Sequence, residues 1–248
     1  FAQVDTNNQF STGGGATSMS DDEGNLLYYT DTDTIWNRLH QPMPNGTGLT
    51  NGLAAEQNSI SIPRPNRPGQ YFVFNVVNAI SYPTDGLLYH IVDMELDSGL
   101  GDVLDTAKNI HVVDSTEEKI AATPHANGVD YWLMVKRSLT DKYYCYLITE
   151  LGPINPPVIS SGAIASAGYS HCEGNLRFNH TGNMLAHLSG LGLEILDFDN
   201  STGILSNSRF IIPFEVNDGL EFSADDSKLY SGGPIQYDLI VPTQTAIQ

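Results

Sequence analysis

The chain has 248 residues, 40% hydrophobic and only 16% charged, with 23 Gly and 13 Pro, a composition that suits one turn-rich all-β core and argues against disorder. Eleven Lys and Arg against 29 Asp and Glu give a net charge of −18, which repels phosphate backbones and anionic lipid and so argues against nucleic acid and membrane partners. No apolar run is long enough to span a bilayer, and the chain starts at Phe1 without a signal-peptide pattern, as expected of a processed chain or an excised piece.

Residues 1–15 are polar and Gly-rich, with Phe1, Val4 and Phe10 as the remnant of a strand. Gly13-Gly14-Gly15 is a lead-in too bare to be a phosphate loop. A first strand then precedes the acidic turn Ser20-Asp21-Asp22-Glu23-Gly24, a return strand follows from Asn25 to Tyr29, and Thr34 to Asn37 supplies a third. The same build recurs at 59–74, where Pro63 to Pro68 stiffens the turn, and Gly86 to Val92 is the next strand. It recurs again at 120–133, at 175–186 and at 219–230. In the last copy Leu220 and Phe222 alternate with Glu221 and Ser223, the period of a strand with one buried face. Ala224-Asp225-Asp226-Ser227 supplies side chains that can bond their own backbone in a turn.

The residue entering the second strand is Asn25, Gln70, Asp130, Asn183 and Lys228 in turn, at intervals of 45, 60, 53 and 45 residues. That is near the period of about 40–50 residues of propeller blades. A fourth, weaker strand follows in several copies, at 109–113, 157–160 and 209–214. The expectation is an all-β fold, a β-propeller of four-stranded antiparallel blades, with about five blades at 16–50, 59–113, 119–161, 174–214 and 219–241 in one domain. Regular short strands also fit a sandwich, but the long internal period favours the propeller. The fifth copy stops after three strands, so either residues 1–10 close the ring or the chain belongs to a larger one. Ser115-Thr116-Glu117-Glu118 matches a capping box and is expected to form one helical turn. Cys145 and Cys172 are either two buried thiols or one disulfide between neighbouring blades.

Several separated motifs carry a family resemblance. They are Ser20 to Asp31, Ile35-Trp36-Asn37-Arg38, Met43-Pro44-Asn45-Gly46, Leu88-Tyr89 with Val92-Asp93-Met94, Glu118-Lys119-Ile120, His125 to Gly128, Asp130-Tyr131-Trp132, and Leu196 to Asp199 with Thr202-Gly203. Together, over about residues 16–240, they resemble the N-terminal propeller region of Bacteroidetes surface proteins that carry gliding-motility-associated C-terminal sorting domains. The resemblance implies export by the type IX secretion system, through a sorting domain that this chain lacks, and an extracellular or cell-surface location. Family propellers carry more blades than are counted here, so a longer parent protein is expected. O-glycosylation is implied at Thr34, Thr106 and Ser115, in Asp33-Thr34-Ile35, Asp105-Thr106-Ala107 and Asp114-Ser115-Thr116. No catalytic residue is implied.

Direct signs of chemistry are sparse. No His-Glu-x-x-His, Gly-x-Ser-x-Gly, Walker loop or Cys-x-x-Cys is present. His125, His171 and His180 fall near ends of innermost strands, where three imidazoles could meet a metal, but they share no position in the repeat and are read as ordinary histidines. Asp31-Thr32-Asp33 with Asn37 lacks the Gly and distal Glu of a calcium loop and reads as a turn. Glu117-Glu118 and Asp225-Asp226 read as solvated turn residues. Trp132 reads as core between blades, and Trp36 as core or a sugar-stacking ring. The functional expectation is therefore a non-enzymatic surface module with no catalytic, cofactor or metal residue, binding protein or glycan or serving as a spacer. The alternative is a propeller hydrolase or lactonase with a metal near the central channel.

Overall fold

The computed structural model describes residues 8–9, 15–50, 57–77, 86–163, 174–211, 219–232, 235–239 and 246–247. His171, Cys172 and, of the segment 1–10 that could close the ring, all but residues 8 and 9 lie outside them. The chain is all-β, with five antiparallel sheets and only two single 3-10 turns, Asp97–Gly99 and Asp105–Ala107, among the described residues. Among the described residues no helix is long and apolar enough to cross a membrane.

The first sheet holds β1 (Thr17–Ser20), β2 (Leu26–Thr30) and β3 (Ile35–Asn37). The second holds β4 (Ser59–Pro63), β5 (Gln70–Val76) and β6 (Leu87–Asp93), with β7 (Asp102–Val103) and β8 (Ile110–Val113) both on the far edge of β6. The third repeats that plan: β9 (Thr116–Pro124), β10 (Tyr131–Arg137) and β11 (Lys142–Thr149), then β12 (Gly152–Pro153) and β13 (Val158–Ser161) on β11. Pro156 and Pro157 donate no backbone bond, so this outer strand is broken in two. The fourth sheet is a four-strand meander of β14 (Leu176–Phe178), β15 (Met184–Ser189), β16 (Gly192–Asp199) and β17 (Ile204–Ile211). The fifth is β18 (Leu220–Phe222), β19 (Lys228–Ser231), β20 (Ile235–Asp238) and β21 (Ala246–Ile247).

The recurring hairpin is real in three dimensions. The same backbone bond closes the first turn of every sheet: Asp21 to Asn25, Arg64 to Gln70, His125 to Asp130, Asn179 to Met184 and Ser223 to Lys228, each from an N–H to a carbonyl. Each turn also places a residue in the left-handed region, a glycine in the first four (Gly24, Gly69, Gly128, Gly182), joined in the second by Asn66, and Asp226, at φ 57, in the fifth. Asp tolerates that region better than most residues, and here its carboxylate is fixed by bonds from Asn179, His180 and Thr181.

Alternation along the strands decides how the sheets stack. Leu133 and Val135 of β10 face the second sheet, with Phe72, Phe74 and Ile91, while Trp132 and Met134 face the fourth, with Leu185, Leu196 and Phe198. Ala186, Leu188 and Ile195 turn the other way, onto Leu220, Phe222 and Leu229. Tyr28 and Ile35 pack on Val73 and Val92 between the first and second sheets. Every inner sheet thus buries both faces, and the first strands β1, β4, β9, β14 and β18 neighbour one another in that order. Among the described residues the sheets do not close into a ring.

Two local expectations are corrected. Thr116 to Glu118 is not a helical turn but the start of β9, which begins three residues earlier than the expected third repeat. Ser115 sits at φ 51, not in the extended conformation of a helix N-cap, and Thr116 pairs with Arg137 across the sheet. The fifth sheet does not stop at three strands, because β21 pairs with β20.

Candidate functional site

The interface between the third and fourth sheets is apolar at one end and ionic at the other. Along β9, Glu117 and Lys119 continue the face that carries Ala121; along β10, Lys136 continues the face of Trp132 and Met134. Tyr143 on β11 lies directly opposite Lys136. From the fourth sheet, His187 continues the face of Leu185, and its cross-strand partner is Glu194. All six side chains are buried, with Glu117 and Glu194 at 0% exposure and Lys119, Lys136 and His187 at 1%. Charged groups persist in such a place only when paired.

The pairing is continuous. Lys136 Nζ donates to Glu117 Oε1 at 2.7 Å, and Lys119 Nζ lies 3.0 Å from Glu117 Oε2. His187 Nε2 lies 3.2 Å from that same Oε2. The other ring nitrogen, Nδ1, is 2.7 Å from the Tyr143 hydroxyl. Tyr143 donates to Glu194 Oε2 at 2.9 Å. Glu194 Oε1 accepts the Ala163 N–H at 2.6 Å and the Ser208 hydroxyl at 2.5 Å. Ala163 is exposed and Ser208 half-buried, so the Glu194 end of the chain reaches the surface while the Glu117 end does not.

Electrostatics follow from these partners. Burial alone would raise the Glu117 carboxyl, but Lys119, His187 and Lys136 outweigh it and hold the group well below the usual carboxylate range. Burial likewise opposes ionisation of Glu194, yet the nearby His187 ring and bonds from Ser208, the Ala163 amide and Tyr143 bring it down to about 2. The Tyr143 phenol is pushed well above its ordinary value by burial, then by the charge and hydrogen bond of Glu194 and the charge of Glu117. An imidazole fixed at one nitrogen by a carboxylate and at the other by a hydroxyl is oriented for proton transfer.

The candidates singled out from sequence fall elsewhere, and one is overturned. Glu117 and Glu118 are not solvated turn residues; both are buried in a strand, because Lys119 and Lys136 compensate Glu117. Asp225 does sit in a turn, bonded to Ser223 and Ser227. His125 packs against Trp132 with the rings tilted at 34° and their centroids 5.0 Å apart, and His180 pairs with Asp226 at 3.0 Å. The two share no ligand geometry, and among the described residues no group of three His, Cys, Asp or Glu is spaced to hold one metal ion. Asp31 caps its own turn through bonds from the Asp33 and Thr34 amides, and Asn37 does the same for Leu39 and Gln41. Trp132 is core, and Trp36 is buried and stacked on Tyr29. Cys145 is a buried free thiol whose pKa burial pushes up. Of the glycosylation candidates, Thr34 is buried, Thr106 exposed and Ser115 half-buried.

Lys119, Lys136, Tyr143, His187 and Glu194 do not stand out in the sequence as a group. A signal is nonetheless present: each occupies the inward phase of a strand whose neighbours in that phase are apolar, where a charge needs a partner.

No family model matches the chain, and no curated protein matches it. Solved structures do resemble it. A luciferin-regenerating enzyme matches at 15% identity and a TM-score of 0.48, covering 93% of this chain and 73% of that one. A 6-phosphogluconolactonase-like protein from Bacteroides uniformis ATCC 8492 matches at 12% identity and 0.44, covering 89% and 61%. The fission yeast SREBP–SCAP binding domains match at 13% identity and 0.49, covering 86% and 56%. The chain thus spans about three-fifths of the length of the latter two. Two of these three structures are enzymes by name, which corrects the expectation of a non-enzymatic module. At these identities no activity passes to this chain by likeness, and an enzymatic reading rests on the relay between the third and fourth sheets.

Proposed function

We propose that this chain is a β-propeller hydrolase of ester-type bonds, lactones first among them, in which the buried relay supplies the proton to the leaving oxygen. The propeller is supported by five sheets stacked face to face, with their first strands adjacent in chain order. The hydrolytic reading is carried by one observation: the unbroken hydrogen-bond chain from Glu117 through His187 and Tyr143 to Glu194, ending beside the surface at Ala163 and Ser208.

In this reading water adds to the ester carbonyl and the ring C–O bond breaks. Tyr143 passes its hydroxyl proton to the ionised Glu194 carboxylate, which hands it on to the leaving alkoxide. Tyr143 is recharged from His187 Nδ1, and the proton of the attacking water returns to the imidazole. Glu194, buried beneath Ala163 and Ser208, is the group of the relay nearest the surface, and His187 and Tyr143 act through it. Glu117, held ionised by two ammonium groups, keeps the imidazole in place. A surface of net charge −18 favours uncharged substrates over phosphorylated ones.

The test is hydrolysis of a panel of uncharged lactones and aryl esters by the purified chain, with and without divalent cations, followed by acid release. Turnover is expected, and Tyr143→Phe is expected to lower kcat about 10²–10⁴-fold, the range of a lost acid–base function, with KM little changed. Absence of turnover on the whole panel overturns the proposal.

A further inference from the structure

The relay contains three gaps to be filled by protons. They are Glu117 Oε2 to His187 Nε2 at 3.2 Å, His187 Nδ1 to Tyr143 O at 2.7 Å, and Tyr143 O to Glu194 Oε2 at 2.9 Å. Two ionised carboxylates, a phenol and a neutral imidazole bring only two protons between them. Either neutral tautomer therefore leaves one gap with lone pairs facing each other inside a buried interface, where an unmade bond is costly.

We infer that the resting protein stores a third proton in this interface, on His187, with both ring nitrogens donating. The neighbours leave no other place for it. Glu117 faces the ammonium groups of Lys119 on its own strand and Lys136 on β10. Glu194 on β16 accepts from the Ala163 amide and the Ser208 hydroxyl as well as from Tyr143, so its oxygens are committed as acceptors. The phenol of Tyr143 on β11 keeps its own proton, since burial and the Glu194 charge both disfavour losing it. The imidazolium then lies between two carboxylates, and the ammonium groups nearest to it are already engaged with Glu117.

This inference does not rest on the hydrolase reading, although a loaded relay is what that reading needs. It is tested on the resting chain by ring-nitrogen NMR of His187 at neutral pH. Two protonated ring nitrogens are expected, slow to exchange with solvent. A single protonated nitrogen in the wild-type chain overturns the inference. Tyr143→Phe removes the acceptor from Nδ1, and Glu194 Oε2, at 4.0 Å, is too far to replace it. That variant is expected to lose one ring N–H signal. If it folds and keeps both, Glu117 alone holds the charge and the three-gap chain is overturned; if it does not fold, the wild-type spectrum decides.

Discussion

Gln57 bonds Leu176 as if the two were paired in a sheet, although Gln57 leads into β4 and Leu176 lies in β14, with β9 between them. Its side-chain Nε2 donates to the Leu176 carbonyl at 2.9 Å, and the Leu176 N–H donates to Gln57 Oε1 at 2.7 Å. The Gln57 backbone meanwhile bridges to Lys119 in parallel, so one residue ties the second, third and fourth sheets together where their first strands converge. Gln57→Leu keeps most of the volume and leaves two backbone groups of Leu176 unpaired. A loss of about 1–3 kcal/mol is expected, read as a lower denaturant midpoint at unchanged m-value.

Lys136 contributes to the relay through charge and not through packing. Lys136→Met preserves the stem along the Tyr143 ring but removes the closer of the two ammonium groups paired with Glu117. Lys119 still pairs with Glu117, which is left only partly compensated, so the expected loss is smaller than the about 3–5 kcal/mol of a buried pair broken outright. Adding Glu117→Gln removes the stranded charge and is expected to recover part of that loss. A double-mutant cycle on denaturant midpoints measures the coupling, and additive losses would show that the two groups do not interact.

Much of the fold could be read from hydrophobic alternation and turn chemistry. Leu220, Phe222 and the acidic turn after them gave the hairpin, and its return at Asn25, Gln70, Asp130 and Asn183 gave the sheets. The relay was missed because its residues arrive from four strands far apart in sequence, and pairing across sheets has no local signature. Glu117 shows the conflict most clearly. Ser115 and Glu118 have the spacing of a helix start, but strand pairing of Thr116 with Arg137 and the cations at 119 and 136 won over that local preference. Likewise β21 escaped notice because two residues carry too little pattern to be seen.

His90 makes the interface of the first two sheets sensitive to acid. Its Nδ1 accepts the Asn109 N–H at 3.0 Å, and Asn75 stands 3.3 Å from Nε2, so the ring is buried without a carboxylate. Burial, helped by the charge of Lys108, pulls its pKa down to about 4 from 6.5. A lowered imidazole contributes stability that is complete above 6.5 and is lost as pH falls from there through 4, because the unfolded chain binds the proton first. The loss attributable to this group is about 3 kcal/mol. Unfolding followed between pH 7 and 4.5 is expected to show a slope that His90→Gln removes. An equal slope in the variant would place the titration elsewhere.

Gly162 lets the chain leaving β13 approach the surface end of the relay. A Cβ there would stand 2.6 Å from Glu194 Oε1, 2.9 Å from Oε2 and 2.7 Å from Tyr143 Cε2. None of these atoms yields easily, since Glu194 and Tyr143 are buried and held by their own bonds. Gly162→Ala must therefore push residues 162–163 away and weaken the Ala163 N–H bond to Glu194, at a cost of about 1–3 kcal/mol for overpacking. The cause can be isolated by repeating the substitution in a Glu194→Ala background. With the carboxylate gone there is room for the methyl group, and the added loss in denaturant midpoint is expected to fall well below that in the wild-type background. An undiminished loss would mean that Gly162 is required by its backbone and not by its distance from Glu194.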